Sequence, residues 1–174
     1  MNHYFDDEET LTRAERVRQQ GKRLCTMVQQ GYQKAPYFRS LIDAHAINPG
    51  RFDSADALAK LPVITREMLI DLEKADPPYG GLADPEGEVD RIFISPGPVY
   101  EPHLSERDFL WARAYFAAGI GRGDVVLNAF SHHLVAAGLT FHGGLRRLGA
   151  TVVPSGTSST QMQVQLIRDL RVTA

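Results

Sequence analysis

The stretch "DVVLNAFSHHLVAAGLTFHGGLRRLGATVVP", Asp124 to Pro154, carries the clearest pattern of secondary structure in this chain. The apolar run "DVVLNAF" predicts a buried strand, and "ATVVP" at the other end predicts a second one. Between them, "LVAAGLTFHGGLRRLG" predicts a helix whose small residues allow close approach to its neighbours. Strands and helices that alternate through short loops are typical of a mainly parallel sheet flanked by helices. The sequence therefore predicts an α/β fold.

The flanking segments extend this pattern. On the N-terminal side, "DRIFIS" predicts another strand, and Ser105 with Asp108 predicts the cap of a helix in "ERDFLWARAYFAAG". On the C-terminal side, Ser159 is the predicted cap of a helix in "STQMQVQLIRDL", and "RVTA" is the predicted start of a further strand. Three strands are few for a parallel sheet whose faces both need cover. We expect the front part of a larger fold, incomplete at the C-terminus; the alternative is a small α/β domain with a frayed last strand.

The first 75 residues contain helical patterns only. Thr12 and Glu15 form a predicted capping box, and Ser54 and Thr65 are the predicted N-caps of two further short helices. The Pro- and Gly-rich loop "DPPYGGLADPEGE" is the best internal boundary. We therefore expect a helical N-terminal region, residues 1–85, and a partial α/β subdomain, residues 86–174. An apolar stripe is predicted on the first helix by Ala14, Val17, Gly21, Leu24 and Val28.

Bulk properties exclude several classes of protein. The chain has 174 residues, with 19 basic and 21 acidic ones, and a net charge of −2 argues against nucleic-acid binding. Cys25 is the single cysteine, which excludes an internal disulfide and fits a reducing compartment. The N-terminus is polar and acidic, unlike a signal peptide, and no apolar run is long enough to span a membrane. We expect a cytoplasmic protein.

Candidate site residues follow the predicted strands. "FISPGPVYEP", Phe93 to Pro102, lies between a strand and a helix, where nucleotide enzymes keep phosphate-binding loops. His132 follows the next strand, and "PSGTSST" follows the third, so all three segments are expected at the carboxyl edge of the sheet, where ligands bind. No arrangement of nucleophile and base is convincing, and adjacent His132 and His133 do not favour one metal ion, so no metal site and no catalytic residue is assigned.

Several segments together resemble the N-terminal portion of phenylacetate–coenzyme A ligases, members of the adenylate-forming acyl-CoA synthetase superfamily. The similarity runs from about Gly31 to the end of the chain. The order and spacing of the segments carry it, while no single segment is diagnostic. They are "YQKAPYFRSLI", "INPGRFDSADALAKLPVITREML", "AAGIGRGDVVLNAF", "GGLRRLGATVVPSG" and "TQMQVQLIRDLRVTA".

The resemblance implies a fold, a reaction and its ligands. Residues 86–174 would form part of an AMP-binding-type subdomain. A carboxylic acid, by resemblance an aromatic one, would react with ATP and Mg²⁺ to give an acyl-adenylate, and coenzyme A would then take the acyl group. The segments that complete an adenylation site in this family would lie beyond Ala174, so we expect the 174 residues alone to be inactive. We also expect a half sheet to self-associate, which makes a homo-oligomer the expected protein partner.

The family's phosphate loop, Ser-Ser-Gly-Thr-Thr-Gly-Lys-Pro, falls on the stretch from Ser95 to Pro102. Ser95, Gly97 and Pro102 match it, while Glu101 stands in place of its lysine. Proline, proline, valine and tyrosine replace the other four residues, so hydroxyl and amide donors are lost. Three alternatives remain open: ATP is held mainly by other segments, Mg²⁺ bridges to Glu101, or ATP is not bound here in the usual way.

The family's acid pocket is lined by aromatic residues that follow the second strand. In this chain Phe130 and His132 occupy that place, and Gly156 keeps the family's second Ser/Gly-rich turn, which Thr160 and Gln163 follow. Phe130 can equally be a core residue at a strand end. Two other functions stay open beside the ligase. One is a non-catalytic binding or scaffold protein with a degenerate phosphate loop, and the other is a helper that binds an acid activated elsewhere.

Overall fold

The computed structural model describes residues 4–52 and 54–174. They form two compact units. The first, called the helical unit, comprises residues 6–52, 54–88 and 96–102. The second, called the α/β unit, comprises residues 4–5, 89–95 and 103–174. The predicted division between residues 85 and 86 stays a prediction. Within the described residues, no helix combines the length and the hydropathy that crossing a membrane requires.

The helical unit begins as the sequence predicts. A 3₁₀ helix, Asp7–Thr10, precedes α1, Arg13–Lys34. The predicted capping box is confirmed, because the Glu15 amide donates to Thr12 Oγ1 at 3.3 Å and the Thr12 amide donates to Glu15 Oε2 at 2.9 Å. Helix α2, Pro36–Ala44, follows with its proline in the first turn, where no amide hydrogen is needed.

The core of the helical unit is formed by Val28, Phe52 and Ala57, against which Leu24 and Phe38 pack. The predicted stripe on α1 is therefore confirmed at Val28. It is wrong at Val17, which is 52% exposed, because the core extends along only part of this long helix.

Two predicted N-caps of the helical unit have different outcomes. Thr65 caps α3, Arg66–Ala75, by accepting from the Met68 amide. Ser54 makes no side-chain cap, and the helix that follows it is a 3₁₀ helix, Ala55–Lys60. A 3₁₀ helix is wound more tightly than an α-helix, with hydrogen bonds between residues three apart, and is common in short connecting pieces. A second short 3₁₀ helix, Pro49–Arg51, begins at the cap Asn48.

The segment after residue 90 is a β-hairpin. Strand β1, Arg91–Ser95, and strand β2, Val99–His103, form a two-stranded sheet of their own. The predicted strand "DRIFIS" is thus confirmed, but its place in a three-stranded parallel sheet is wrong. The sequence also predicts a loop where β2 lies. Pro102 obscured this strand, since proline lacks the amide hydrogen that a ladder uses.

The α/β unit is built on β3, Val125–Leu127, and β4, Thr151–Val153. They pair in parallel, with Val126 opposite Val152, and α5, Ala137–Arg147, connects them. This confirms the strand, helix and strand predicted for the opening stretch. The α/β fold class is confirmed as well, with a smaller parallel sheet than predicted.

Further hydrogen bonds extend the sheet on the other side of β3. The Thr173 amide donates to the Val125 carbonyl at 2.8 Å, and the Leu127 amide donates to the Ala174 carbonyl at 2.9 Å. The predicted strand start in "RVTA" therefore lies beside β3 through these hydrogen bonds, although residues 172–174 do not form a strand. The core of the α/β unit comprises Val126, Leu145 and Ala150, and burial of side chains such as Leu145 contributes about 1.5–3 kcal/mol each.

Two more helices complete the α/β unit. The predicted helix in "ERDFLWARAYFAAG" divides into a 3₁₀ segment, Ser105–Trp111, and α4, Ala112–Ala117. Its predicted cap is wrong, because the Ser105 hydroxyl and amide both donate to the Asp90 carboxylate. These hydrogen bonds hold the pKa of Asp90 below its usual value. At α6, Thr160–Asp169, the predicted cap is confirmed, since Ser159 Oγ accepts from the Met162 amide.

Candidate functional site

The carboxyl ends of β3 and β4 form one edge of the parallel sheet. We call this the β3–β4 edge and define it by Asn128, Phe130, His132, Ser155 and Gly156. The Gly156 amide donates to the Asn128 carbonyl at 3.1 Å, which ties the loop after β4 to the loop after β3. A Cβ atom on Gly156 would lie 3.9 Å from the Phe130 carbonyl oxygen. The structure thus brings the predicted residues Phe130, His132 and Gly156 together within the α/β unit.

Gly156 has a backbone conformation that favours glycine. Its φ angle is +58°, in the left-handed region that side-chain-bearing residues rarely adopt. The turn therefore places a backbone surface, with no side chain, beside Phe130. Such a turn leaves room for a ligand to approach the main chain closely.

Asn128 organises the edge, and sequence analysis did not single it out. It is only 5% exposed. Its Nδ2 donates to the Gly138 carbonyl at 2.8 Å and lies 3.3 Å from His132 Nε2, and its Oδ1 accepts from the Phe130 amide at 3.2 Å. A buried amide must find such partners, because burial without them is costly. A lone polar residue ending an apolar strand was the signal that could have identified it.

The first turn of α5 approaches the loop after β3 very closely at Gly138. A Cβ atom there would overlap the Ser131 carbonyl oxygen, and its distance to the Ser131 carbonyl carbon would be 2.6 Å. Glycine is therefore required at this position for steric reasons. The contact fixes the loop that carries Phe130 and His132 against the helix.

Aromatic side chains form one wall of this region. Phe130 is 52% exposed and packs edge-on against Phe141, with ring centroids 5.0 Å apart. Phe141 in turn meets Trp111 edge-on at 4.7 Å. Such edge-to-face pairs are a favoured aromatic geometry. Phe130 thus packs against Phe141 with one part of its ring and exposes the rest to solvent. Phe141 and Trp111 were not predicted as site residues, because both lie in predicted helices.

A second histidine, His142, lies close to His132 of the edge. The His132 and His142 rings are 6.5 Å apart in an edge-on arrangement. Burial lowers the pKa of His142, and the neighbouring His132 and Arg146 lower it further. These surroundings favour the neutral form of His142, which adds a polar group beside His132. Among residues 4–52 and 54–174, no group of three or more His, Cys, Asp or Glu side chains could hold a metal ion.

The loop after β4 is held by a side chain of α6. Gln163 Nε2 donates to the Ser158 carbonyl at 3.1 Å, whereas Thr160 is exposed at the start of α6. Ser158 Oγ is a buried atom without a hydrogen-bond partner among the described residues. Of the predicted residues here, Gln163 orders the loop, and Thr160 faces solvent.

The residues predicted for the phosphate loop are arranged along the hairpin. Ser95 ends β1 and Gly97 lies in the turn, while Glu101 and Pro102 are exposed on β2. The turn packs closely, because a Cβ atom on Gly97 would lie 3.1 Å from Ile70 Cδ1 of α3. The Tyr100 amide donates to Glu73 Oε2 at 2.9 Å, and the Arg66 guanidinium donates to the Pro96 carbonyl.

A cavity of about 270 Å³ lies beside this part of the hairpin, within the helical unit. Two of its lining residues carry carboxylates, Glu73 and Glu101, and one carries a guanidinium, Arg66. Phosphate-binding loops need backbone amides and positive charge instead. Because three of the seven residues from Pro96 to Pro102 are prolines and the Tyr100 amide is engaged, the hairpin does not fit a polyphosphate.

A second polar cluster lies in the α/β unit and was also missed by sequence analysis. Asp108 accepts from Arg91 Nη2 at 2.8 Å, and its other oxygen lies 2.8 Å from His103 Nε2. All three side chains are at most 27% exposed. The cluster ties the 3₁₀ segment Ser105–Trp111 to the strand ends at Arg91 and His103. No pattern in the sequence links these three positions.

Solved structures with the same fold identify the class of protein. A 2-hydroxyisobutyryl-CoA ligase in an open conformation, in complex with 2-HIB-AMP and CoA, matches with a TM-score of 0.81 and 25% identity, over 92% of this chain and 39% of that one. The same enzyme in its postadenylation state with 2-HIB-AMP gives 0.79 and 24%, over 92% and 35%. The fold is that of the adenylate-forming CoA ligases.

Curated relatives narrow this class to a family. The phenylacetate–coenzyme A ligase of Thermus thermophilus is 33% identical over 176 residues, 97% of this chain and 39% of the relative. Those of Aromatoleum evansii and Escherichia coli are 34% and 32% identical, over 86% and 98% of this chain. No protein-family model matches. The chain resembles the N-terminal portion of phenylacetate–coenzyme A ligases and spans between 35% and 40% of these relatives' length.

Proposed function

We propose that the full-length polypeptide containing these residues is an ATP-dependent acid–thiol ligase. An acid carboxylate would attack the α-phosphate of ATP, giving an acyl-adenylate and releasing pyrophosphate. The thiol of coenzyme A would then attack the acyl carbon, giving the thioester with release of AMP and a proton. The observation that carries this proposal is the 33% identity with a phenylacetate–coenzyme A ligase over 97% of the chain.

The acid is proposed to bind at the β3–β4 edge. Phe130 exposes an aromatic face there and is supported by Phe141, so an aromatic ring could stack on an apolar wall. Gly156 leaves space beside it, and His132 can donate or accept a hydrogen bond. These features favour an aryl acid with a polar group near the ring.

The hairpin is proposed as the positional counterpart of the phosphate loop, through Ser95, Gly97, Glu101 and Pro102. Mg²⁺ would accompany ATP, and because the hairpin does not fit a polyphosphate, Glu101 is not proposed to hold it. We expect the principal grip on ATP to come from other segments. A cytoplasmic location and a homo-oligomer complete the proposal.

Pyrophosphate release tests the proposal directly. The full-length polypeptide, with ATP and Mg²⁺, is given a panel of aryl and alkyl acids, and release is measured with a coupled phosphate assay. We expect acid-dependent release, greatest with aryl acids. Phe130→Ala should lower kcat/KM for aryl acids about tenfold, because it removes apolar contact of the order of 1.4 kcal/mol or more.

A matched control separates a site effect from a surface effect. Phe109→Ala removes a phenylalanine of similar exposure, 47% against 52%, from the 3₁₀ segment, and should leave kcat/KM unchanged. The ligase proposal fails if no acid in the panel promotes release. A non-catalytic binding protein, which the altered hairpin favours, would still bind aryl acids in that case.

A further inference from the structure

Glu73 is an unusual residue in this fold. It is 5% exposed, and it is the one charged side chain found buried among the residues that the structure describes. A buried carboxylate is costly unless it is paired or hydrogen-bonded. Its partner is the amide of Tyr100, which lies 2.9 Å from Oε2.

The position of Glu73 on α3 adds a second cost. It lies in the last turn of the helix, where the helix dipole disfavours negative charge. The neighbouring Lys74 pairs instead with Asp71, at 3.8 Å on an exposed face. A residue that is locally unfavourable on two counts is expected to have a function that its surroundings support.

Glu73 accepts a hydrogen bond from one of the few backbone amides of this part of the hairpin that could bind an anion. Between Pro96 and Pro102 only four residues carry an amide hydrogen, because the other three are prolines. One of those four is buried Val99, at 4% exposure, and another is Tyr100. The Glu73 carboxylate is thus an anion that already holds the Tyr100 amide.

The charges around this cavity also disfavour the binding of an anion. Glu101 follows Tyr100 in β2 and lines the same cavity as Glu73. An anion approaching this cavity would meet two carboxylates and one guanidinium, that of Arg66, which donates to the Pro96 carbonyl. Like charges at close range repel by an amount that grows as water is excluded.

We propose that Glu73 is a built-in anionic cap: its carboxylate holds the Tyr100 amide, locks β2 onto α3, and closes the hairpin to phosphate groups. Tyr100 is held through its main chain, so the lock does not depend on the tyrosine side chain. This inference stands independently of the proposed ligase activity, because it concerns only the helical unit.

Amide exchange of Tyr100 measures the lock. The full chain has six tyrosines, so ¹⁵N-tyrosine labelling gives six amide signals, and Tyr100→Phe assigns the one of interest. Glu73→Ala should accelerate exchange at Tyr100 at least about tenfold, since hydrogen bonds to charged groups are strong. Glu73→Gln keeps an acceptor oxygen and should restore exchange to within about threefold of wild type. The control Asp71→Ala removes an exposed carboxylate from the same helix and should change nothing at Tyr100.

Inorganic pyrophosphate probes the closure. Added at millimolar concentration, it should leave the Tyr100 signal and its exchange unchanged in the wild-type chain. The proposal is overturned if pyrophosphate protects this amide in the wild type, or if Glu73→Ala leaves its exchange unaltered. Should Glu73→Ala fail to fold, Glu73→Asp takes its place: its carboxylate is one methylene shorter and should leave the Tyr100 amide exchanging faster, so exchange at the wild-type rate would overturn the proposal.

Discussion

Replacing Gly138 by alanine should lower the free energy of unfolding of the chain by about 3 kcal/mol or more, as expected for severe overpacking against backbone atoms. The added methyl group would overlap the Ser131 carbonyl oxygen, and a main-chain carbonyl cannot rotate away as a flexible side chain can. In an exposed helix the same substitution would stabilise by up to about 1 kcal/mol. The loop that carries Phe130 and His132 must therefore move, and aryl-acid binding should be lost with it.

Urea denaturation followed by the fluorescence of Trp111, the single tryptophan, measures this change. Gly121→Ala is the matched control in the same unit. It has nothing within 4 Å of its added Cβ atom, so its effect should stay within about 0.5 kcal/mol. Equal stability of Gly138→Ala and wild type would show that the loop does not rest against α5 as described.

Asn128→Leu should be the second most damaging substitution. Leucine has nearly the same size but can neither donate to the Gly138 carbonyl nor accept from the Phe130 amide. Leaving such groups unsatisfied in a buried place costs about 2–3 kcal/mol. We expect a loss of stability of that size and, because the Phe130 amide is released, weaker binding of aryl acids.

The same denaturation experiment gives the result, with Ser159→Ala as its control in the same unit. Ser159 also accepts a hydrogen bond from a backbone amide, that of Met162 at 3.2 Å, but on the exposed surface. Its replacement should cost about 1 kcal/mol. If the two substitutions were equally mild, the buried network around Asn128 would not be what holds the β3–β4 edge together.

The sequence predicted best where one local pattern was sufficient. The apolar runs of β3 and β4, the helix between them, and the caps Thr12, Thr65 and Ser159 depend on neighbours a few residues away. The cap predicted at Ser105 is wrong for the opposite reason. Its hydroxyl and amide are taken by Asp90, fifteen residues earlier, and this contact exists only once the hairpin has formed.

The candidate site was predicted in outline, because strand ends can be located from the sequence. Phe130, His132 and Gly156 were expected at one sheet edge and lie there. Their support, Asn128, was missed, because it acts through Gly138, ten residues away. In the helical unit, Glu73 was missed for the same reason, because it acts through Tyr100, twenty-seven residues away. Such partners are set by tertiary packing, which a single sequence does not reveal.

The full-length polypeptide is proposed to activate a carboxylic acid by adenylation, and an isotope follows the oxygen atom that this step transfers. The experiment uses phenylacetic acid labelled with ¹⁸O in its carboxyl group, together with ATP, Mg²⁺ and coenzyme A. We expect one ¹⁸O atom in the AMP released, because the carboxylate oxygen that attacks the α-phosphate stays with AMP when the thiol displaces it. Thioester formation with no label in AMP, or no thioester from any acid in the panel, would contradict the account.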